Sequence, residues 1–102
     1  MDDIFRALAD PNRRQLLDRL NERNGQTLRE LCAGLDMARQ SVSKHLAVLE
    51  AAGLAEGTRD GRRVVYRLTP GQFAAAAKWM GEVGASWDRR LAVLSAQIDS
   101  RR

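Results

Sequence analysis

Cysteine and histidine are nearly absent from the 102-residue chain, which holds one of each, Cys32 and His45. A lone cysteine closes no internal disulfide and fits a reducing compartment. One Cys and one His also fall short of the four ligands a zinc site needs, so neither metal nor cofactor is expected. Long apolar runs are missing as well. The longest uncharged stretch, Leu68 to Ala77, is half of the roughly 20 residues a membrane helix requires. Met1-Asp2-Asp3 lacks the basic start and apolar run of a secretory signal. A cytoplasmic location with no membrane partner is the expectation. The sequence contains no Gly-rich phosphate loop, no nucleophile elbow and no His-Asp-Ser set, which leaves no catalytic residues and argues against an enzyme.

What is present is a chain 44% hydrophobic and 29% charged with a net charge of +4. It is too apolar for disorder and the right length for one domain covering residues 1–102. A chain this short buries only about two-thirds of its unfolded surface, so self-association would add stability. The positive charge is unevenly spread. Residues 1–36 balance to −1, residues 37–67 to +3 and residues 68–102 to +2. The excess begins where the periodicity also changes, and a basic region points to an acidic partner.

Local signals divide the chain into helices and one hairpin. Ile4, Phe5 and Leu8 mark a first helix from Asp3 to about Ala9. Asp10-Pro11 caps and opens a second, running to Arg23 with Leu16, Leu17 and Leu20 inward, and Asn24-Gly25 stops it. Its charges read as a solvated face, with Arg13 or Arg14 within reach of a phosphate. Thr27 and Glu30 form a capping box for a short third helix, whose N-terminal amides suit a phosphate. Cys32 falls there among Leu28, Leu31 and Leu35 and reads as a small core residue. A fourth helix spans about Ala38 to Ala52, closed by Gly53, with Val42, Leu46 and Leu49 on one face. Gln40, Lys44 and Ala47 occupy the opposite face, Arg39 the first turn and Ser43 the flank. Helices three and four make a helix-turn-helix pattern.

Leu54 to Arg59 and Arg62 to Leu68 flank Asp60-Gly61, a sequence suited to a type I′ hairpin turn. That turn sets Arg59 opposite Arg62, a like-charge pair calling for an anion at the tip. A basic hairpin after a helix-turn-helix is the signature of a winged helix. The fold class expected is therefore mostly α with one β-hairpin. Thr69-Pro70-Gly71-Gln72 starts a last helix of about residues 70–100, with Thr69 as cap and Gln72 closing the box. Phe73, Ala77, Met80, Gly84, Trp87, Leu91, Leu94 and Ile98 alternate steps of four and three, a heptad seam too long to bury against so small a body. Trp79 and Val83 widen it, and Gly81 and Gly84 read as close-packing sites between helices in preference to points where a signal loosens the helix.

These residues resemble the ArsR/SmtB-type winged-helix transcriptional repressors over nearly the whole chain. The resemblance is carried by Phe5 through Arg14, by Glu30-Leu31-Cys32, by Gln40 through Leu46, by Leu49 through Leu54, and by Gly61-Arg62-Arg63 with Tyr66-Arg67-Leu68. It implies a homodimer joined through the first and last helices, a Gln40–Leu49 helix entering the major groove, and repression by occupying a double-stranded operator. Relatives that sense metal carry a Cys-x-Cys on the third helix, whereas Cys32 is followed by Ala33 and Gly34. The last helix holds Asp88 and Asp99 but no histidine. With Trp87-Asp88-Arg89-Arg90-Leu91 it looks like the branch without the usual metal sites. No residue set names an inducing ligand.

Spacing agrees with the DNA reading. Arg39 and Gln40 suit guanine and adenine edges; Ser41, Ser43 and Lys44 suit bases or phosphates. His45 is either such a contact or a half-buried helix residue. Arg59, Arg62 and Arg63 suit the minor groove or the adjoining backbone. The expected dimer interface is Ile4, Phe5, Leu8, Met80, Val83, Trp87, Leu91, Leu94 and Ile98. The competing reading is a winged helix that docks another protein and reads no DNA.

Overall fold

The computed structural model describes residues 1–100, with side chains through Val93. Five helices and three strands follow in the order α1 (Asp2–Leu8), α2 (Pro11–Glu22), β1 (Gln26–Thr27), α3 (Leu28–Cys32), α4 (Arg39–Ala51), β2 (Ala55–Asp60), β3 (Arg63–Leu68) and α5 (Pro70–Ser100). The apolar spacing that forms each helix also aims it inward. Leu16, Leu20, Leu31, Val42, Leu46, Leu49 and Leu54 are fully buried in one cluster, joined by Ile4, Ala7, Leu17, Ala55 and Ala76. Burying each of those Leu or Val side chains contributes about 1.5–3 kcal/mol before the entropy of ordering is counted. Cys32 is half-buried against the same cluster.

The α1–α2 junction is held by arginines rather than by a glycine. Asp10 Oδ1 accepts the backbone N–H groups of Asn12 at 2.8 Å and Arg13 at 3.3 Å and so caps α2. Arg13 then reaches back to the end of α1, where its Nε donates to the Ala7 carbonyl at 2.8 Å and its Nη2 to that of Arg6 at 3.0 Å. Arg14 Nη1 donates to the Leu8 carbonyl at 2.6 Å. Both side chains thus serve carbonyls that a helix C-terminus leaves without intrahelical partners. The Arg13 side chain is only 16% exposed, so Arg13→Met should lower stability by about 2 kcal/mol, or roughly 10 °C in Tm at fixed protein concentration. Arg14→Met, losing one exposed bond, should cost less than half of that. Thermal circular dichroism on the two variants checks the order; equal, small shifts would refute it.

The sheet has three strands in the order β1-β3-β2, one more than the expected hairpin. Gln26 and Thr27 pair with Tyr66 and Val65. A two-residue strand is too short for an alternating pattern to register in the sequence. It ties the wing to the end of α2, where the buried Gln26 side chain donates to the carbonyls of Arg19 and Arg23.

The hairpin turn lies one residue later than expected. Asp60 pairs with Arg63 and Arg59 with Val64, which leaves Gly61-Arg62 as the two-residue loop. Gly61 alone takes a positive φ, +64°, as a type II′ turn requires at its first central position. A type I′ turn centred on Asp60-Gly61 would have required a positive φ at Asp60 as well. The like-charge pair is replaced by an opposite-charge pair, Arg63 Nη2 lying 3.9 Å from Asp60 Oδ2, so the expected anion at the tip loses its argument.

Two further expectations are corrected. Thr69 does not form a capping box: its hydroxyl has no hydrogen-bond partner, and the Gln72 side chain instead crosses Gly53, where a Cβ would meet Gln72 Cγ at 2.9 Å. Ile4 is 3% exposed within the chain's own core and is therefore no interface residue, because α1 lies flat on the body and turns Ile4 into it. Phe5 and Leu8 are half-buried against that core, and Phe5 meets Trp79 of α5 with ring centroids 5.5 Å apart.

Past the Phe5–Trp79 contact the last helix leaves the body. No residue from Ala77 to Val93 is buried, and the molecule measures 70 × 27 × 22 Å. Trp79, Met80, Val83, Trp87, Leu91 and Val93 are all exposed. A Cβ at Gly81 or Gly84 would meet nothing within 4 Å, so neither is a close-packing site inside the protomer. Leu94 and Ile98, named above for the seam, lie outside the described side chains.

Candidate nucleic-acid interface

Helix α4 turns one face inward and one outward, and the division falls between neighbouring residues. Val42, Leu46 and Leu49 are at most 1% exposed. Arg39, Gln40, Ser41, Ser43 and Lys44 are all exposed, and His45 is half-buried. Packing of α4 against α3 and α2 therefore fixes which side chains it presents. Ala38, at the N-cap, makes no side-chain hydrogen bond to the first turn, so those amide donors also face outward without a side-chain partner.

The wing supplies Arg59, Arg62 and Arg63, all exposed. The expected residues divide into two groups. Arg62 and Arg63 share an open cleft with Arg39 and with the start of α3, which contributes Thr27, Leu28, Arg29 and Glu30; Val64 and Tyr66 complete its wall. Arg59, Gln40, Ser41, Ser43, Lys44 and His45 do not line that cleft. Arg29 is an addition to the expected set. Its only sequence signal is its position just inside the Thr27 capping box, on a helix whose apolar residues look inward.

The capping box forms as expected. Glu30 Oε1 accepts from the Thr27 N–H at 3.1 Å and from its hydroxyl at 3.0 Å, and the Glu30 N–H donates to Thr27 Oγ1 at 3.2 Å. The Arg23 guanidinium binds the other carboxylate oxygen. These contacts, the Thr27 N–H first, hold the Glu30 carboxyl below the usual range. A carboxylate thus already sits at the start of α3, the place expected to suit a phosphate. Tyr66 is displaced the other way: burial, with Glu50 adding to it, pushes its phenol up. Among the described residues no three His, Cys, Asp or Glu side chains cluster as metal ligands do, and no helix is long and apolar enough to cross a membrane.

A helix-turn-helix domain family matches residues 8–58. The HTH-type transcriptional regulator YuzN of Bacillus subtilis is 48% identical over 66% of this chain and 76% of its own length. The arsenical resistance operon repressor of Escherichia coli is 37% identical, over 78% of this chain and 68% of the repressor. Among solved structures, an ArsR-like transcriptional regulator from Rhodococcus superposes with a TM-score of 0.78 at 36% identity, covering 91% of this chain and 87% of the other. The homodimeric winged helix-turn-helix DNA-binding domain Mb0332 of Mycobacterium bovis gives 0.65 at 28% identity, covering 83% and 77%. The two sequence relatives are named as a transcriptional regulator and a repressor, and the two solved structures share the fold described above. The chain belongs to the ArsR/SmtB-type family of winged helix-turn-helix transcriptional regulators.

Proposed function

We propose that the protein is a homodimeric repressor whose α4 enters the major groove of an imperfectly palindromic operator, its own promoter among the targets, with the wing on the adjoining backbone or minor groove. The observation that carries this reading is the outward face of α4. Its first two turns present Arg39, Gln40, Ser43 and Lys44 to solvent while Val42 and Leu46 lock the same turns into the core. Side chains near the start of a recognition helix reach base edges, Arg to guanine and Gln to adenine. Ser41 and His45 lie beside them on the same helix, and Arg59, Arg62 and Arg63 extend the positive surface along the wing. The single domain of residues 1–102 then has two parts: a reading head and the α5 stalk of about residues 70–100.

Dimerisation through α5 is supported by the apolar face that Met80, Val83, Trp87 and Leu91 leave exposed, continuous with the Phe5–Trp79 contact on α1. It is supported too by the homodimeric Mycobacterium bovis domain of the same fold. Two-fold symmetry would set two recognition helices about 34–36 Å apart and make the operator a pseudo-palindrome. Fluorescence anisotropy with the duplex upstream of the chain's own gene and a scrambled duplex tests the reading. Preference for the first, weakening linearly in log salt, is the expected result. Equal binding to both, at every salt concentration, would remove sequence-specific repression at that promoter.

A further inference from the structure

The cleft between α3, α4 and the wing is lined by four arginines, Arg29, Arg39, Arg62 and Arg63, with Tyr66 as a partly apolar wall and Glu30 as the one carboxylate. Glu30 does not neutralise them. Its oxygens are taken by Thr27 and by Arg23 from outside the cleft. Arg63 has Asp60 at 3.9 Å, but both side chains are more than 65% exposed, a pair worth little. Among the described residues no carboxylate approaches Arg29, Arg39 or Arg62 within 4 Å. Four cations lining one cleft repel one another, and a bound anion relieves that cost.

Arg29 also makes no contact that holds the fold. Its side chain is exposed and makes no hydrogen bond or ion pair with any described residue. Yet it lines the same cleft as Arg39 from the first turn of α4 and Arg62 and Arg63 from the wing.

We infer that Arg29 is a DNA-binding residue: with Arg62 across the cleft it clasps one backbone phosphodiester beside the segment read by α4. The inference rests on the DNA reading proposed above. A phosphate accepts fork-shaped guanidinium donors on several oxygens at once, so two arginines from different elements hold one phosphodiester and fix the angle between α3 and the wing on the duplex. The contact positions the protein and reads no base.

The test is the salt dependence of binding for wild type, Arg29→Gln and Arg29→Lys. One lost phosphate contact per protomer removes two per dimer, so Arg29→Gln should flatten the slope of log K against log salt by roughly 1.8. Affinity should fall about tenfold at moderate salt, equally on operator and scrambled duplexes. Arg29→Lys, keeping the charge, should restore the slope. Wild-type slope and affinity in Arg29→Gln would overturn the assignment to Arg29 alone. A slope that Arg29→Lys leaves as flat as Arg29→Gln does, or a loss confined to the operator, would make Arg29 a structural or base-reading residue and also overturn it. Wild type that binds no duplex would overturn both this inference and the DNA reading, which keeps the two failures distinct.

Discussion

The Lys44→Glu, Arg62→Glu double variant is expected to bind operator DNA at least roughly 1000-fold more weakly than wild type while folding normally. Both side chains are exposed and neither enters an ion pair among the described residues, so the folded protomer loses nothing by the exchange. On DNA the effect is large for two reasons. Two cations per protomer, four per dimer, stop neutralising phosphates, which alone flattens the log–log salt slope by roughly 3.6. Four carboxylates then face a polyanion at close range. Anisotropy titrations at several salt concentrations, with circular dichroism as the folding control, check both. Unchanged affinity would be the signature of a winged helix whose working surface lies elsewhere, the protein-docking alternative.

Lys44 is legible from the amino-acid order alone, and the reason is physical. Val42, Leu46 and Leu49 at helical spacing decide the buried face of α4, and the outward residues follow by exclusion. Caps are legible for a similar reason. Asp10-Pro11 and Thr27 with Glu30 act within three residues, and the structure reproduces both. Where a residue has two local options, sequence does not decide. Gly61 fits either hairpin turn, and only the observed register, with Asp60 opposite Arg63, tells which one forms. Thr69 and Gln72 have the right spacing for a box, but Gln72 finds Gly53, distant in sequence and adjacent only through tertiary packing.

Long side chains are least legible of all. Arg13, Arg14 and Arg29 are alike in the sequence, each a cation on a short amphipathic helix. Only the path of the chain tells that Arg13 and Arg14 bend back to the carbonyls ending α1 while Arg29 lines the cleft with the wing arginines. Ile4 misleads for a related reason: helical spacing shows that α1 has an apolar face, but not whether its own body or a second copy covers it. The α5 seam is the opposite case, because a helix of 31 residues, some 46 Å at about 1.5 Å per residue, outruns any core that a 102-residue chain can offer.

That excess length leads to the second large effect. Leu91→Asp is expected to convert the protein from a dimer to a monomer of 11.4 kDa and to weaken operator binding at least roughly 100-fold. Leu91 is 55% exposed and Trp87 56% in the protomer, so an aspartate at 91 does not disturb the core of a single chain. At a two-fold seam the same change buries two unpaired carboxylates close together, which costs several kcal/mol through lost solvation and mutual repulsion. Operator affinity follows because, on the proposed pseudo-palindromic operator, each protomer would read only a half-site. Once one recognition helix is engaged, its dimerised partner binds at an effective concentration near millimolar, an advantage of about 10²–10⁴ that the monomer forfeits. Light scattering gives the mass and anisotropy the affinity. Thermal unfolding supplies a third readout: the Tm of wild type should rise with protein concentration, as expected when folding and association are linked, and that of Leu91→Asp should not. A Leu91→Asp protein that kept twice the chain mass and wild-type affinity would mean that the apolar face of α5 serves something other than a second copy.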